Sequence, residues 1–237
     1  MLDQAIRYGS ILAQPEFEGS DTILEVGSGT GGISSFTGDQ VVGVDIKFEG
    51  RKSENLSVVR ASVTALPFRN ASFNRVICSD VMEHLPDEAR PKALEELVRI
   101  TGETLFLACP CGQPARRLDS FFFKLYESLK ISPPEWMIEH IRMGIPDAES
   151  IRSVLKHCSV SFRELPGESW ITHFIVTLLI SSRLLNNFWR RVFLKNTGRV
   201  RKIGRISILT GRAPYRRLWV VSSKKYIYGP SSARKTK

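Results

Sequence analysis

One short stretch constrains this chain more than any other: Ile23-Leu24-Glu25-Val26-Gly27-Ser28-Gly29-Thr30-Gly31-Gly32, an apolar run that ends in closely spaced glycines. Glycine lacks a Cβ, so such a run lets the backbone turn sharply and lets a ligand approach its amides. A tight loop alone would explain the glycines. Their place after a strand-like segment, with the next apolar run Val41-Val42-Gly43-Val44-Asp45 close behind, adds a second element. Asp45 lies 18 residues beyond Gly27, where a carboxylate at a strand end can accept from both hydroxyls of a ribose. The pair predicts a nucleoside site on a parallel sheet.

The rest of the chain fits that sheet. Short β-rich runs alternate with helical ones, the pattern of strands covered by helices. Strands are expected at Thr22 to Val26, Val41 to Asp45, Leu56 to Arg60, Phe73 to Cys78, Thr104 to Ala108, Val160 to Leu165 and Arg217 to Ser222. Met1 to Ala13 reads as an entry helix, and Glu88 to Ile100 as a helix with Pro91 in its first turn, where proline is tolerated. Asp147 is a plausible N-cap for a helix reaching about Cys158. Only Gly32 to Gln40 separates the glycines from the second strand, room for little more than two helical turns. Residues 1–237 are read as one domain with two insertions, 111–146 after the fifth strand and 166–215 between the sixth and seventh, and a basic tail, 224–237.

Four cysteines in 237 residues make no disulfide scaffold, and Met1 to Gln14 lacks the apolar core of a signal peptide, so a cytoplasmic setting is expected. The spacing of Cys109 and Cys111 is not that of a zinc site, and no metal is expected. Charge is distributed unevenly. Residues 1–170 hold 18 Lys and Arg against 24 Asp and Glu, whereas residues 171–237 hold 16 and none. Such asymmetry points to an anionic partner for the last third.

The run Glu25-x-Gly27-x-Gly29-x-Gly31, then Val44-Asp45, then Ala61-Ser62 with Leu66-Pro67-Phe68, then Val76 through Ser79-Asp80-Val81-Met82-Glu83-His84-Leu85, resembles the class I S-adenosylmethionine (SAM)-dependent methyltransferases, and more narrowly their type 11 group. The motifs span about residues 20–110. The resemblance implies a Rossmann-like α/β fold: a mostly parallel seven-stranded sheet with helices on both faces, the last strand antiparallel, and helical insertions over the active-site edge. It implies SAM as cofactor. Gly27, Gly29 and Gly31 would bend under its methionine part, Glu25 would support that loop, Asp45 would bind the ribose and Ile46 would pack on the adenine. Ser62, where the family often has Asp, and Val63 would lie at the adenine, and Ser79 and Asp80 would border the methionine end.

Because SAM carries an activated methyl group, the protein mainly aligns a nucleophile, and a base helps an oxygen acceptor. Asp80 and His84 are the candidates, His84 because imidazole titrates near neutrality. A helix-start role explains Glu83-His84-Leu85 equally well. Trp136 and His140, in the first insertion, are expected to reach over the site and touch substrate. In the second insertion an apolar helical stripe runs from Trp170 to Phe193 with Arg190 and Arg191 on another face, and these two are taken as substrate contacts. A lid helix packed on the domain and a basic amphipathic helix on anionic membrane fit this pattern equally. The expected activity is methyl transfer to a small-molecule, lipid or lipid-linked glycan acceptor, with peripheral membrane association in view. The alternatives are an RNA methyltransferase using the basic C-terminal third and a non-catalytic SAM-fold binding subunit.

Overall fold

The computed structural model describes residues 2–19, 22–180, 193, 196–209 and 214–223. Seven strands form one sheet: β1 (Ile23–Val26), β2 (Val41–Asp45), β3 (Leu56–Arg60), β4 (Phe73–Ser79), β5 (Thr101–Pro110), β6 (Ser161–Ser169) and β7 (Pro214–Ser222), in the order β3-β2-β1-β4-β5-β7-β6. The first five are mutually parallel, and β7 runs antiparallel to both β5 and β6. This is the expected Rossmann-like topology.

The strands β1 and β4 are apolar on successive residues because helices cover both faces, as parallel sheets require. Val76 points into one core and Ile77 into the other. On one side, α2 (Arg90–Ile100) and α5 (Ala148–His157) bury Leu94, Leu97, Ile151 and Leu155 against Leu24, Val44 and Leu105. On the other, α1 (Leu2–Leu12) buries Ala5, Tyr8, Ile11 and Leu12 against Val41, Ile77 and Phe106. Helices α3 (Gly112–Ser128) and α4 (Glu135–Met143) form the first insertion, and α6 (Trp170–Ile180) and α7 (Thr197–Leu209) belong to the second.

Three expectations need correction. The link from β1 to β2 forms no α-helix, only a 3-10 turn at Gly32–Ser35. Its place against the sheet is taken by α7, whose Val200 is buried with Phe36 and whose Thr197 hydroxyl donates to the Phe36 carbonyl at 2.6 Å. Helix α7 also crosses α1 so closely that a Cβ on Gly204 would stand 1.9 Å from the Gly9 carbonyl, an approach only glycine permits. The second insertion therefore does not lie wholly over the active-site edge: α6 does, while α7 is a packed element of the sheet's flank. Finally, β6 continues through Pro166 to Ser169 and β7 begins at Pro214, so two residues expected in a loop, Glu168 and Arg216, are paired across the ladder. Arg190 and Arg191 lie outside the described residues.

Candidate active site

At the carboxyl edge of β1 the glycine loop is held by its own neighbours. The Gly27 amide donates to the Val44 carbonyl at 2.7 Å, and the Gly29 amide to Asp45 Oδ2 at 2.9 Å. Buried Glu25 accepts the Ile33 amide at 2.8 Å and lies beside Tyr8 of α1. Burial pushes its carboxyl up to about 7 against those neighbours. The left-handed residues are Gly27, Gly29 and Gly32, with φ of 80°, 51° and 54°. Gly31 has φ −142°, outside the left-handed region, and a Cβ there would meet Ser35 Oγ at 2.7 Å. A Cβ on Gly27 would meet Val81 Cγ2 at 2.3 Å, so the loop lies against the segment that follows β4.

The other expected cofactor residues line the same edge. Ile46 follows Asp45 and is 71% exposed, a large apolar side chain left uncovered beside the carboxylate. Ser62 is exposed and shares a hydrogen bond with Thr64, while Val63 is turned into the core, so its side chain is not available to a ligand. Ser79, at the end of β4, is buried with a hydroxyl that has no partner among the described residues. A glycine cradle, a ribose-range carboxylate, an uncovered apolar platform and an orphan hydroxyl fit a nucleoside joined to an amino-acid part.

Beyond β4 and β5 a cavity of about 400 Å³ opens between α1, α4, α6 and the start of β7. One wall is a buried ion network. Asp80 accepts from Arg216 Nε and Nη2 at 2.7 Å each and forms an ion pair with Arg7, whose Nε stands 2.8 Å away, and Arg216 also reaches Glu168. Burial raises the Asp80 carboxyl, but Arg216 and Arg7 outweigh it and hold it down to about 2. Asp80 is therefore a poor proton acceptor, which corrects the expectation of a base. Its φ of 55° is costly for a non-glycine residue and is maintained by this clamp.

The opposite wall holds Glu83, His84 and His140. Both rings are anchored through Nδ1, His84 to Glu139 Oε2 at 2.6 Å and His140 to Asp119 Oδ2 at 2.8 Å. Asp119 in turn accepts the Tyr215 hydroxyl at 2.9 Å. Burial and then the His140 charge lower the pKa of His84, more than Glu139 raises it, so the ring is neutral at physiological pH. Glu83 is fully buried, and burial followed by the Asp80 charge lifts its carboxyl well above the usual range. Neither of its oxygens has a hydrogen-bond partner among the described residues. Trp136 packs edge-on against His140 at 5.1 Å. His84, Trp136 and His140 thus meet as expected. Arg7, Asp119, Glu168, Tyr215 and Arg216 were not anticipated. Only Asp119 carried a signal, a carboxylate on the apolar stripe of Ala115, Leu118 and Phe122.

Residues 24–104 match the family model described as a methyltransferase domain. Over that third of the chain the sequence is similar to this family. Among solved structures the fold is similar to a SAM-dependent methyltransferase from Archaeoglobus fulgidus, with 17% identity, 94% of this chain and 93% of that chain covered and a TM-score of 0.53. It is as similar to the cyclase SpnF, with 11% identity, coverage of 92% and 80% and a TM-score of 0.53. The second likeness shows that the fold alone does not fix the chemistry. No curated protein matches the chain. Among the described residues no helix is long and apolar enough to cross a membrane.

Proposed function

We propose that this chain is a methyltransferase that binds SAM and moves its methyl group onto a small, neutral or cationic acceptor seated in the cavity. The observation that carries the reading is a shared wall: Val81 packs against Gly27 of the cofactor loop, and its neighbours Asp80, Glu83 and His84 line the cavity. Cofactor and acceptor would thus meet across one short segment.

Glu25, Asp45, Ile46, Ser62, Ser79 and the backbone of Gly27, Gly29, Gly31 and Val63 would hold the cofactor, which supplies a methyl group already activated on a sulfonium. The chain's own task is then orientation and control of the acceptor's proton. Asp80, clamped by both arginines, fixes the wall. The imidazoles of His84 and His140, each anchored at Nδ1 by a carboxylate, would face the acceptor and activate it. Both arginines of the lining are engaged by Asp80 and Glu168, so neither is spare for a phosphate. That favours an uncharged or basic acceptor over RNA or a phosphorylated lipid.

The test is incubation with methyl-labelled SAM and separate small-metabolite, lipid and RNA extracts, where label is expected in the first. Label only in RNA or lipid overturns the acceptor class, and label in none overturns methyl transfer. His84→Ala is expected to lower turnover roughly 10²–10⁴-fold with SAM affinity intact. A loss under about threefold removes His84 from the chemistry.

A further inference from the structure

We infer that Glu83, His84 and His140 bind one divalent first-row transition ion, Zn²⁺ in the first instance. Each offers a ligand atom, and these atoms lie within 4.8 Å of one another. His140 Nε2 stands 4.0 Å from Glu83 Oε1. Around a zinc ion with bonds of about 2.0–2.2 Å, neighbouring ligand atoms sit roughly 3–3.5 Å apart. Side-chain rotations that close the cluster by about an ångström complete the site.

Three independent features point to a cation. First, both imidazoles are held at Nδ1 by a carboxylate, Glu139 for His84 and Asp119 for His140. That second layer is what metal-ligating histidines carry: it fixes the tautomer and leaves the Nε2 lone pair for the ion. The layer extends further, since Tyr215 donates to Asp119. Second, Glu83 is a fully buried carboxylate with neither oxygen hydrogen-bonded among the described residues. A buried acceptor left without a donor is expensive, and a bound cation offsets that cost. Third, all three residues line the cavity, so an ion there has a route in and coordination positions open to a ligand.

The donor set selects the ion. Two nitrogens and one carboxylate are too nitrogen-rich for Mg²⁺ or Ca²⁺, which take oxygen ligands. The buried thiols Cys78, Cys109 and Cys111 contribute no ligand atom to the cluster, so no soft, thiolate-rich site forms. Two histidines and a carboxylate with open positions is the arrangement of catalytic zinc and of non-haem iron. The open positions face the acceptor cavity, where a hydroxyl or amine of the acceptor fits. That use of the ion rests on the methyl-transfer reading; the binding does not.

Co²⁺ is the probe, because it replaces Zn²⁺ and its visible bands report coordination. The chelator-stripped full-length chain is expected to bind one equivalent with the intense bands of four- or five-coordinate Co²⁺, bleached by added Zn²⁺. Glu83→Gln and His84→Ala are each expected to weaken Co²⁺ at least about 100-fold, and Asp119→Asn about 10–100-fold. His84 is partly exposed, so His84→Ala decides alone if a circular dichroism spectrum shows Glu83→Gln unfolded. Absence of Co²⁺ bands in the wild-type chain, or equal affinity in wild type and His84→Ala, overturns the site. SAM calorimetry on the same stripped chain separates the two readings. Intact SAM binding without Co²⁺ bands sinks the ion alone, and Co²⁺ bands without SAM binding leave the ion site standing and sink methyl transfer.

Discussion

The carboxyl edge of the sheet divides into two halves built by different means. The cofactor half, around β1 and β2, is made largely of backbone. Amides of Gly27, Gly29 and Ile33 are satisfied by partners within 20 residues of sequence, and the side chains required are Glu25 and Asp45. The acceptor half, around β4, β5 and β7, is made of side chains brought from far apart. Arg7 and Arg216 meet on Asp80, and Asp119, His140 and Tyr215 form one chain of hydrogen bonds. A backbone-built site tolerates no change of loop but little depends on neighbours. A side-chain network of buried charges is sensitive at every member, because each charge is compensated only by the others.

The sharpest way to break this contrast is at its most connected charge. Arg216 is buried and bonds both Asp80 and Glu168. Arg216→Met would leave those carboxylates short of a cation at a cost of about 3–5 kcal/mol, read as a fall in the urea midpoint with unchanged slope. A fall under about 1 kcal/mol would mean the network is solvated and the contrast mistaken. The matching change in the other half is Asp45→Ala. There SAM affinity is expected to drop by about 1.5–3 kcal/mol, as for a lost charge-assisted hydrogen bond, with a much smaller change in the urea midpoint. Calorimetry showing full SAM affinity in the folded variant would remove Asp45 from the ribose.

The same contrast explains what could be read from the chain alone. The seven strands and the glycine loop were legible because periodicity, glycine and a strand-end Asp are local signals. The spacing did not reveal that Gly32 also carries a positive φ. The segment after Gly32 had room for about two helical turns but forms only a 3-10 turn, and that α7 would fill the gap depends on a Gly9–Gly204 crossing with no local mark. In the acceptor half, His84, Trp136 and His140 were legible as chemistry-bearing types in segments bound for the edge. Arg7 and Arg216 were not, because one arginine among many looks the same until the fold shows which is buried. The role of Asp80 was misjudged for the same reason. Its partners, not its position, set its acidity.

That acidity gives a prediction of intermediate size. Asp80 is held at about 2 against an ordinary value of 3.8 by Arg216 and Arg7. A depressed carboxylate contributes stability that is fully present above its unfolded pKa and lost as pH falls through the folded one. The contribution here is about 2 kcal/mol at neutral pH, disappearing between about pH 4 and pH 2. Because protonated Asp80 resembles asparagine, the stability gap between wild type and Asp80→Asn is expected to be full at pH 7 and to close across that window. A gap independent of pH would show that Asp80 is not ionised in the folded protein.

The smallest expected effect tests the charged third of the chain against both halves at once. Helix α7 carries Arg199, Arg201, Lys202 and Arg205, and its sequence alone is compatible with a surface for membrane or RNA. In the structure Arg201 bonds Glu18 at 2.8 Å, and buried Val200 and Gly204 fix the helix to the sheet's flank and α1. Lys202 and Arg205 are exposed, as is Arg199 at its start. They lie on an element that contributes no residue to the cavity and belongs to neither half of the site. Lys202→Gln with Arg205→Gln is therefore expected to shift stability by less than about 0.5 kcal/mol and to leave SAM affinity and turnover unchanged. The decisive measurement is retention on anionic vesicles and, separately, on RNA as salt rises, since exposed charge attraction is screened within about 10 Å at 0.1 M. Equal retention of wild type and variant in both titrations would confine α7 to a packing role. A clear loss on one of them would give α7 a docking function beside its structural one, and the polyanion on which the loss occurs would name the surface it meets.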